Sequence, residues 1–195
     1  MGYATIIVAP GERSCQHASP RSIRLLRPIC RRFWTASCLR AFRHSSCSRR
    51  SPGDARLFER FRGGGLLDKG HLTLRQREIV IGRVTAQCRS EYEWGVHTAF
   101  FADRVGLDDA MQRSLVLGNG DDPCWSSAER ALIRACDELH ATADLSDEAW
   151  GDLRRHLTEM AVVEVVMLAG FYRTVSYLTN THRLPLETFA KRFPV

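Results

Sequence analysis

The sequence predicts an all-α fold, and three observations support this. No segment alternates apolar and polar residues as a half-buried strand does. Ser or Thr stands three residues before Glu or Gln at several predicted helix starts, which is the pattern of a capping box. Apolar residues recur at the spacing of one helix face, for example Ala131, Leu132, Ala135 and Leu139.

The charge of the chain is distributed unevenly along its 195 residues. Residues 1–53 contain ten arginines, no lysine and one acidic residue, so their net charge is +9, whereas the net charge of the whole chain is +6. The remainder carries −3, and its length suits one domain of ordinary size. The basic overall balance therefore does not indicate a nucleic-acid partner for the folded domain.

Residues 1–53 do not resemble a folded domain, and we expect a disordered basic extension. They are rich in Arg and Ser, and they hold four of the seven cysteines without metal-binding spacing. Three interpretations stay open: a mitochondrial transit peptide, a basic arm for nucleic acid or an anionic membrane, or a mistaken start site or frame error. We expect a cytoplasmic protein, or a mitochondrial one if the segment is a transit peptide.

The predicted helices begin after this extension. Residues 55–61 have helical spacing and are followed by three glycines, after which residues 66–67 are expected to reach the core. Further helices are predicted to begin near five residues that favour N-caps or first turns: Thr73, Ser90, Asp108, Ser126 and Ser146.

The longest apolar stretch, residues 160–178, is predicted to be a core helix. Glu164 and Arg173 interrupt it, whereas a membrane span needs about 20 predominantly apolar residues. We therefore expect no membrane span. Glu164 and Tyr172 are two turns apart and are expected either to line one cavity or to lie on a face that meets another subunit.

Residues 78–97 are the stretch around which the rest of the chain is arranged. They predict the end of one helix, a break at residues 88–90 and the start of a second helix. Glu93 and His97 are four residues apart and share a helix face, while Glu78 lies on the preceding helix. Two carboxylates and an imidazole between packed helices are the minimum set of groups for moving protons.

Each of these residues also has a purely structural interpretation. Glu93 lies three residues after Ser90 and would close a capping box by bonding back to the Ser90 N–H. His97 would be a hydrogen-bonded core histidine. Glu78 would be a solvated charge paired with Arg75 or Arg83.

The spacing Glu78…Ser90-x-x-Glu93-x-x-x-His97 resembles the carboxymuconolactone decarboxylase family, which includes alkylhydroperoxidase D. The resemblance covers residues 54–187 and leaves residues 188–195 as a C-terminal tail. In the peroxidase branch, two cysteines occupy the positions of Ser90 and Glu93. The decarboxylase branch has two glutamates before the histidine, matched by Glu91 and Glu93, but none at position 78. The chain thus combines features of both branches.

The resemblance implies an alkylhydroperoxidase D-like helical domain with a helical-hairpin active site, assembled as a homotrimer or homohexamer. It also suggests a cofactor-free enzyme that decarboxylates, isomerises or eliminates from a small carbonyl or carboxylate metabolite. His97 would shuttle the proton, Glu93 would orient it or act as base, and Glu78 would complete the relay. Five further residues are expected to line or support the pocket: Cys88, Ser90, Tyr92, Trp94 and Tyr172.

Two other functions stay open. One is a thiol peroxidase that uses Cys88, the only cysteine within the motif. The other is a non-catalytic member of the family that serves in assembly. The sequence contains no Gly-rich phosphate loop and no pair of histidines spaced for a metal, so we expect neither a cofactor nor a metal ion.

Overall fold

The structure is a computed structural model that describes residues 56, 60, 61, 64, 66 and 69–195. The predictions for residues 1–53 lie outside the described residues. Within the predicted helix at residues 55–61, Arg56, Arg60 and Phe61 are helical and the others are not described. Leu66 packs against the core as predicted, while its neighbour at position 67 lies outside the described residues.

The continuous part of the structure, residues 69–195, is helical. Its six helices are α1 (Leu74–Gln87), α2 (Glu91–Val105), α3 (Asp109–Leu117), α4 (Ser127–Thr142), α5 (Asp147–His156) and α6 (Glu159–Thr181). No strand occurs among the residues that the structure describes. The predicted all-α fold is therefore confirmed.

Local sequence signals set most of the helix starts. Thr73 and Gln76 form a reciprocal capping box at α1, and Ser126 and Glu129 form another at α4. At α3, α5 and α6 a side-chain oxygen accepts a hydrogen bond from a first-turn N–H, and the caps are Asp108, Ser146 and Thr158. These bonds satisfy amide groups that the helix itself leaves unpaired.

Helix α1 lies at the centre of the fold and packs against α2, α3, α4 and α6. Ile79, Val80 and Ile81 are fully buried on it. Polar residues of α1 are buried as well, so they need partners inside the protein. Arg83 binds both carboxylate oxygens of Asp137 at 2.6 and 3.0 Å, and it also donates to two backbone carbonyls.

Helix α6 buries one face and exposes the other. Val162, Val165 and Leu168 are fully buried, which agrees with a core helix, whereas Met160 and Met167 are each 55% exposed. Of the described helices, α6 alone has the length and mean hydropathy of a membrane span, and half of the window concerned is buried. The core helix of a soluble protein meets the same criteria.

Candidate active site

A tight connection folds α2 back against α1. The chain leaves α1 at Gln87, and Arg89 adopts the left-handed conformation with φ of 53°. Ser90 N–H then donates to the Thr85 carbonyl at 2.9 Å. This connection confirms the predicted helical hairpin and brings the polar residues of α2 next to those of α1.

The predicted capping box at Ser90 and Glu93 is wrong. Ser90 makes no side-chain cap bond, because its N–H is already bonded to Thr85 and its hydroxyl lies 2.8 Å from the Thr179 hydroxyl on α6. The Glu93 carboxylate is therefore not needed at the helix end. It turns instead towards His97 on the same helix.

The structure brings Glu78, Glu93 and His97 together. Glu78 Oε2 lies 2.8 Å from His97 Nδ1, and Glu93 Oε1 lies 3.5 Å from His97 Nε2. The Tyr172 hydroxyl of α6 lies 3.1 Å from the same Nε2 atom. All four side chains are buried, so three helices supply one closed polar cluster. The interpretation of Glu78 as a solvated partner of Arg75 or Arg83 is wrong, since those arginines bind Glu129 and Asp137.

The two glutamates keep His97 charged. Burial by itself would lower the pKa of the imidazole, but the charge of Glu78 and the hydrogen bonds to Glu78 and Glu93 raise the pKa to about 10. At neutral pH both ring nitrogens of His97 therefore carry protons. Nδ1–H donates to Glu78, and Nε2–H is directed at Tyr172 and Glu93.

One oxygen of Glu93 has no internal partner. Glu93 Oε2 is buried and accepts no hydrogen bond from any residue that the structure describes. A buried carboxylate oxygen is normally satisfied by protein or water. Glu93 Oε2 is therefore the atom of this cluster that is free to accept a proton or a hydrogen bond from a ligand.

Aromatic rings surround the imidazole. The Tyr172 ring meets His97 edge-on with centroids 5.1 Å apart, and the Phe101 ring lies 5.6 Å from it. The Phe171 ring packs 5.7 Å from Tyr172. The sequence analysis did not identify Phe101, although it stands four residues after His97 and thus on the same helix face.

Tyr92 and Trp94 are buried on α2 and contact the chain segment that follows α6. The Tyr92 hydroxyl donates to Glu187 at 3.0 Å, and the Trp94 ring lies 5.2 Å from Phe193. The Gly95 carbonyl oxygen also accepts a hydrogen bond from the Lys191 N–H at 3.1 Å. A Cβ atom at position 95 would lie only 2.2 Å from the Lys191 carbonyl oxygen, so this approach requires glycine.

Glu91, the other glutamate matched to the decarboxylase branch, belongs to this tail contact. Its Oε1 accepts the Phe193 N–H at 3.0 Å and pairs with Arg192 Nε at 2.9 Å. Glu91 thus holds the tail, and Glu93 is the one of the two that faces His97. The four-residue spacing from His97 singles out Glu93 in the sequence, whereas the tail contact of Glu91 spans 102 residues and no local spacing indicates it.

Cys88 is directed towards α6. The thiol is half-buried, and burial raises its pKa against the opposing effects of Arg173 and Ser176. Burial of this kind stabilises the thiol over the thiolate.

Glu164 and Tyr172 form hydrogen bonds to different parts of the domain. Glu164 accepts the His71 N–H at 2.5 Å and supports the loop before α1, whereas Tyr172 contacts His97. In the part of the chain that the structure describes, no three His, Cys, Asp or Glu side chains are arranged to hold a metal ion.

Residues 52–138, which include Glu78, Glu93 and His97, match the model of the carboxymuconolactone decarboxylase family. This segment is a carboxymuconolactone decarboxylase family domain. The resemblance seen in the motif is thereby confirmed, and it extends from the N-terminal side of α1 into α4. Tyr172 lies outside the matched segment, on α6. No curated protein sequence matches the chain.

Solved structures with the AhpD-like helical fold resemble this carboxymuconolactone decarboxylase family domain. An uncharacterized peroxidase-related protein from Silicibacter is 14% identical, with a TM-score of 0.65 and coverage of 88% of each chain. An uncharacterized peroxidase-related protein with an alkylhydroperoxidase AhpD core, from Ralstonia eutropha, is 18% identical, with a TM-score of 0.59 and coverage of 69% of this chain and 71% of that one.

A third similar structure is a protein of unknown function from Agrobacterium tumefaciens, a candidate antioxidant defence protein of the AhpD type. It is 18% identical, with a TM-score of 0.55 and coverage of 68% of this chain and 87% of that one. At these identities the three structures establish the fold only. Members of this family are often enzymes.

Proposed function

We propose that this protein is a cofactor-free enzyme that catalyses proton transfer at carbon in a small carbonyl or carboxylate metabolite. The observation that carries the proposal is the pairing of a protonated His97 with a buried, unpartnered carboxylate oxygen of Glu93. One group can stabilise negative charge or donate a proton, while its neighbour can accept one. Such pairs of oppositely acting groups are the basis of acid–base catalysis.

In the proposed reaction, Glu93 Oε2 removes a proton from the carbon next to the substrate carbonyl. The C–H electron pair moves into the carbonyl group and forms an enolate, whose negative charge is stabilised by the His97 imidazolium. Return of the proton to another carbon gives an isomer, and loss of a leaving group from the β-carbon gives an elimination product. Loss of CO2 from a β-keto acid would produce the same enolate, which is then protonated.

Glu78 and Tyr172 support this chemistry from either side of the ring. Glu78 accepts a hydrogen bond from Nδ1–H and holds the imidazole in one orientation. A buried carboxylate commonly orients a catalytic histidine in this way. The Tyr172 hydroxyl contacts His97 Nε2 and is close enough to exchange a proton with that atom. Burial of these side chains lowers the local dielectric constant and strengthens their electrostatic interactions.

A thiol peroxidase is the second candidate function, and the site supports it less well. Ser90 and Glu93 occupy the positions of the two cysteines, so no disulfide can form between them. Cys88 has a raised pKa, whereas a peroxidatic cysteine needs a reactive thiolate. The remaining alternative, a non-catalytic family member, is distinguished by the experiment below.

The test is proton exchange in D2O, because it requires no knowledge of the final product. A panel of small ketones, keto acids and lactones is incubated with the protein, and loss of α-proton signals is followed by 1H NMR. We expect at least one compound to exchange, with Glu93→Gln reducing the rate by about 100-fold or more. The control is Glu91→Gln, which alters an adjacent glutamate that binds the tail. Equal exchange rates in both variants would contradict the assignment of Glu93.

A further inference from the structure

The exposed face of α6 carries a regular seam of residues. Their spacing alternates between three and four positions, and all of them are solvent-exposed: Met160, Val163, Met167, Gly170, Thr174 and Tyr177. We call this set the α6 seam. Alternate spacings of three and four are those of the a and d positions of a heptad repeat, which face a partner helix in a coiled coil.

The α6 seam is distinct from the face that α6 turns to its own domain. The inward face contains Val162, Val165 and Leu168 together with Tyr172, and these residues are fully buried. Large apolar side chains on the outward face are exposed by up to 55%. Contiguous exposed apolar surface of this kind marks interaction sites more often than it occurs on a free monomer.

The centre of the seam pairs a long side chain with a glycine. If two copies of α6 run antiparallel with their centres aligned, Met167 of each faces Gly170 of the other. Val163 then faces Thr174, and Met160 faces Tyr177. Gly170 leaves open space around the position of a side chain, so it forms a hole that suits the long, adaptable Met167 side chain.

From this pattern we propose that two copies of the chain associate through antiparallel packing of their α6 seams. A two-fold axis makes each contact occur twice, so Met167 meets Gly170 on both sides of the axis. An unrelated partner would not have to place a long side chain opposite Gly170. The seam exposes on the order of 500 Å² per copy, over half of the surface that a standard interface buries per partner, and Val166 beside it adds to this.

The first test is the solution mass of the full chain, measured by light scattering after size exclusion. We expect an even number of 22.1 kDa protomers. Met167→Glu places a carboxylate at the centre of the seam and is expected to halve the mass. The matched control is Leu117→Glu on α3, because Leu117 is 56% exposed and Met167 is 55% exposed. Circular dichroism of both variants establishes that they remain folded.

A charge-pair experiment tests the antiparallel register. Met160→Glu and Tyr177→Lys should each weaken association at least tenfold, whereas the double variant should recover it. These positions are roughly 25 Å apart within one helix, so the new charges attract only between copies. A parallel arrangement would instead bring like charges together and would show no recovery.

Four results would overturn the proposal: a monomeric native chain, a homotrimer, a mass that Met167→Glu leaves unchanged, or failure of the double variant to recover. Binding of a monomeric protein to phospholipid vesicles through the same residues would also overturn it. In that case a lipid surface, and not a second copy, covers the seam.

Discussion

Glu78 Oε2 and His97 Nδ1 are 2.8 Å apart, although 19 residues separate them in the chain and both side chains are buried. The contact links the first helix of the hairpin to the second. A buried carboxylate is costly unless it is paired, and a buried imidazolium is equally costly. Each group therefore stabilises the other, and four of the five predictions below concern this hairpin and its surroundings.

The stability of the protein is expected to fall as the pH rises through about 10. The pKa of His97 is about 10 in the folded state, above its ordinary value of 6.5. The charged imidazole therefore contributes its full stabilisation below pH 6.5 and loses it as the pH passes the folded-state pKa. Melting temperatures between pH 6 and 10.5 should show His97→Gln less stable near pH 6.5, with the difference narrowing as the pH rises and lost above about pH 10. A His97 imidazole NMR signal that titrates near pH 6.5 in the folded protein would contradict this.

Glu78→Gln should lower the pKa of His97, because the charge of Glu78 is the largest factor that raises it. The amide retains a hydrogen-bonding group but removes the negative charge. We expect a decrease of about 1 to 3 units, as is usual for loss of an adjacent opposite charge. The pKa can be followed by NMR of the labelled imidazole. Glu91→Gln provides the control, since Glu91 pairs with Arg192 in the tail and should leave the His97 titration unchanged.

The protein is expected to consume hydroperoxides only slowly in the presence of a dithiol. Burial raises the pKa of Cys88, and the paired-cysteine positions are Ser90 and Glu93. Cys88 alone is able to form a sulfenic acid that an external thiol reduces. That reaction starts from the thiolate, which the raised pKa of Cys88 makes scarce at neutral pH. Peroxide consumption should therefore be nearly the same for the native chain and Cys88→Ser. Rapid turnover that Cys88→Ser abolishes would instead make the thiol peroxidase the better function.

Gly95→Ala should destabilise the protein by about 1 to 3 kcal/mol, as overpacking usually does. The added methyl group would lie 2.2 Å from the Lys191 carbonyl oxygen and would push the tail away from α2. The control is Gly151→Ala on α5, where nothing lies within 4 Å of the new Cβ. There the better helix propensity of alanine should stabilise by about 0.5 to 1 kcal/mol. Urea unfolding measures both changes, and equal effects of the two substitutions would argue against the tail contact.

Removal of residues 1–53 is expected to leave folding and assembly unchanged. These residues carry a net charge of +9 from ten arginines and one acidic residue, and so one-sided a charge disfavours packing into the core. The shortened chain should melt within about 5 °C of the full chain, which corresponds to roughly 1 kcal/mol for a domain of this size. A larger decrease, or a different assembly mass, would show that this segment contributes to the fold.

The sequence alone determined the features that depend on neighbouring residues. Thr73 with Gln76 and Ser126 with Glu129 start their helices because the partners are three residues apart and find each other locally. Likewise, the four-residue spacing of Glu93 and His97 placed both on one face of α2. These signals, with the family motif, were sufficient for the all-α fold, the hairpin and three members of the candidate site.

Only the tertiary structure decided the features that join distant segments. Ser90 matches a capping box in sequence, yet its hydroxyl forms a hydrogen bond with the hydroxyl of Thr179, 89 residues away. Tyr172 reaches His97 across 75 residues, and the backbone of Phe193 reaches Glu91 across 102. Such contacts depend on how whole helices pack, so no short spacing rule predicts them. The physical reason is that a local hydrogen bond needs only one turn of helix, whereas a long-range one needs the entire core to be in place.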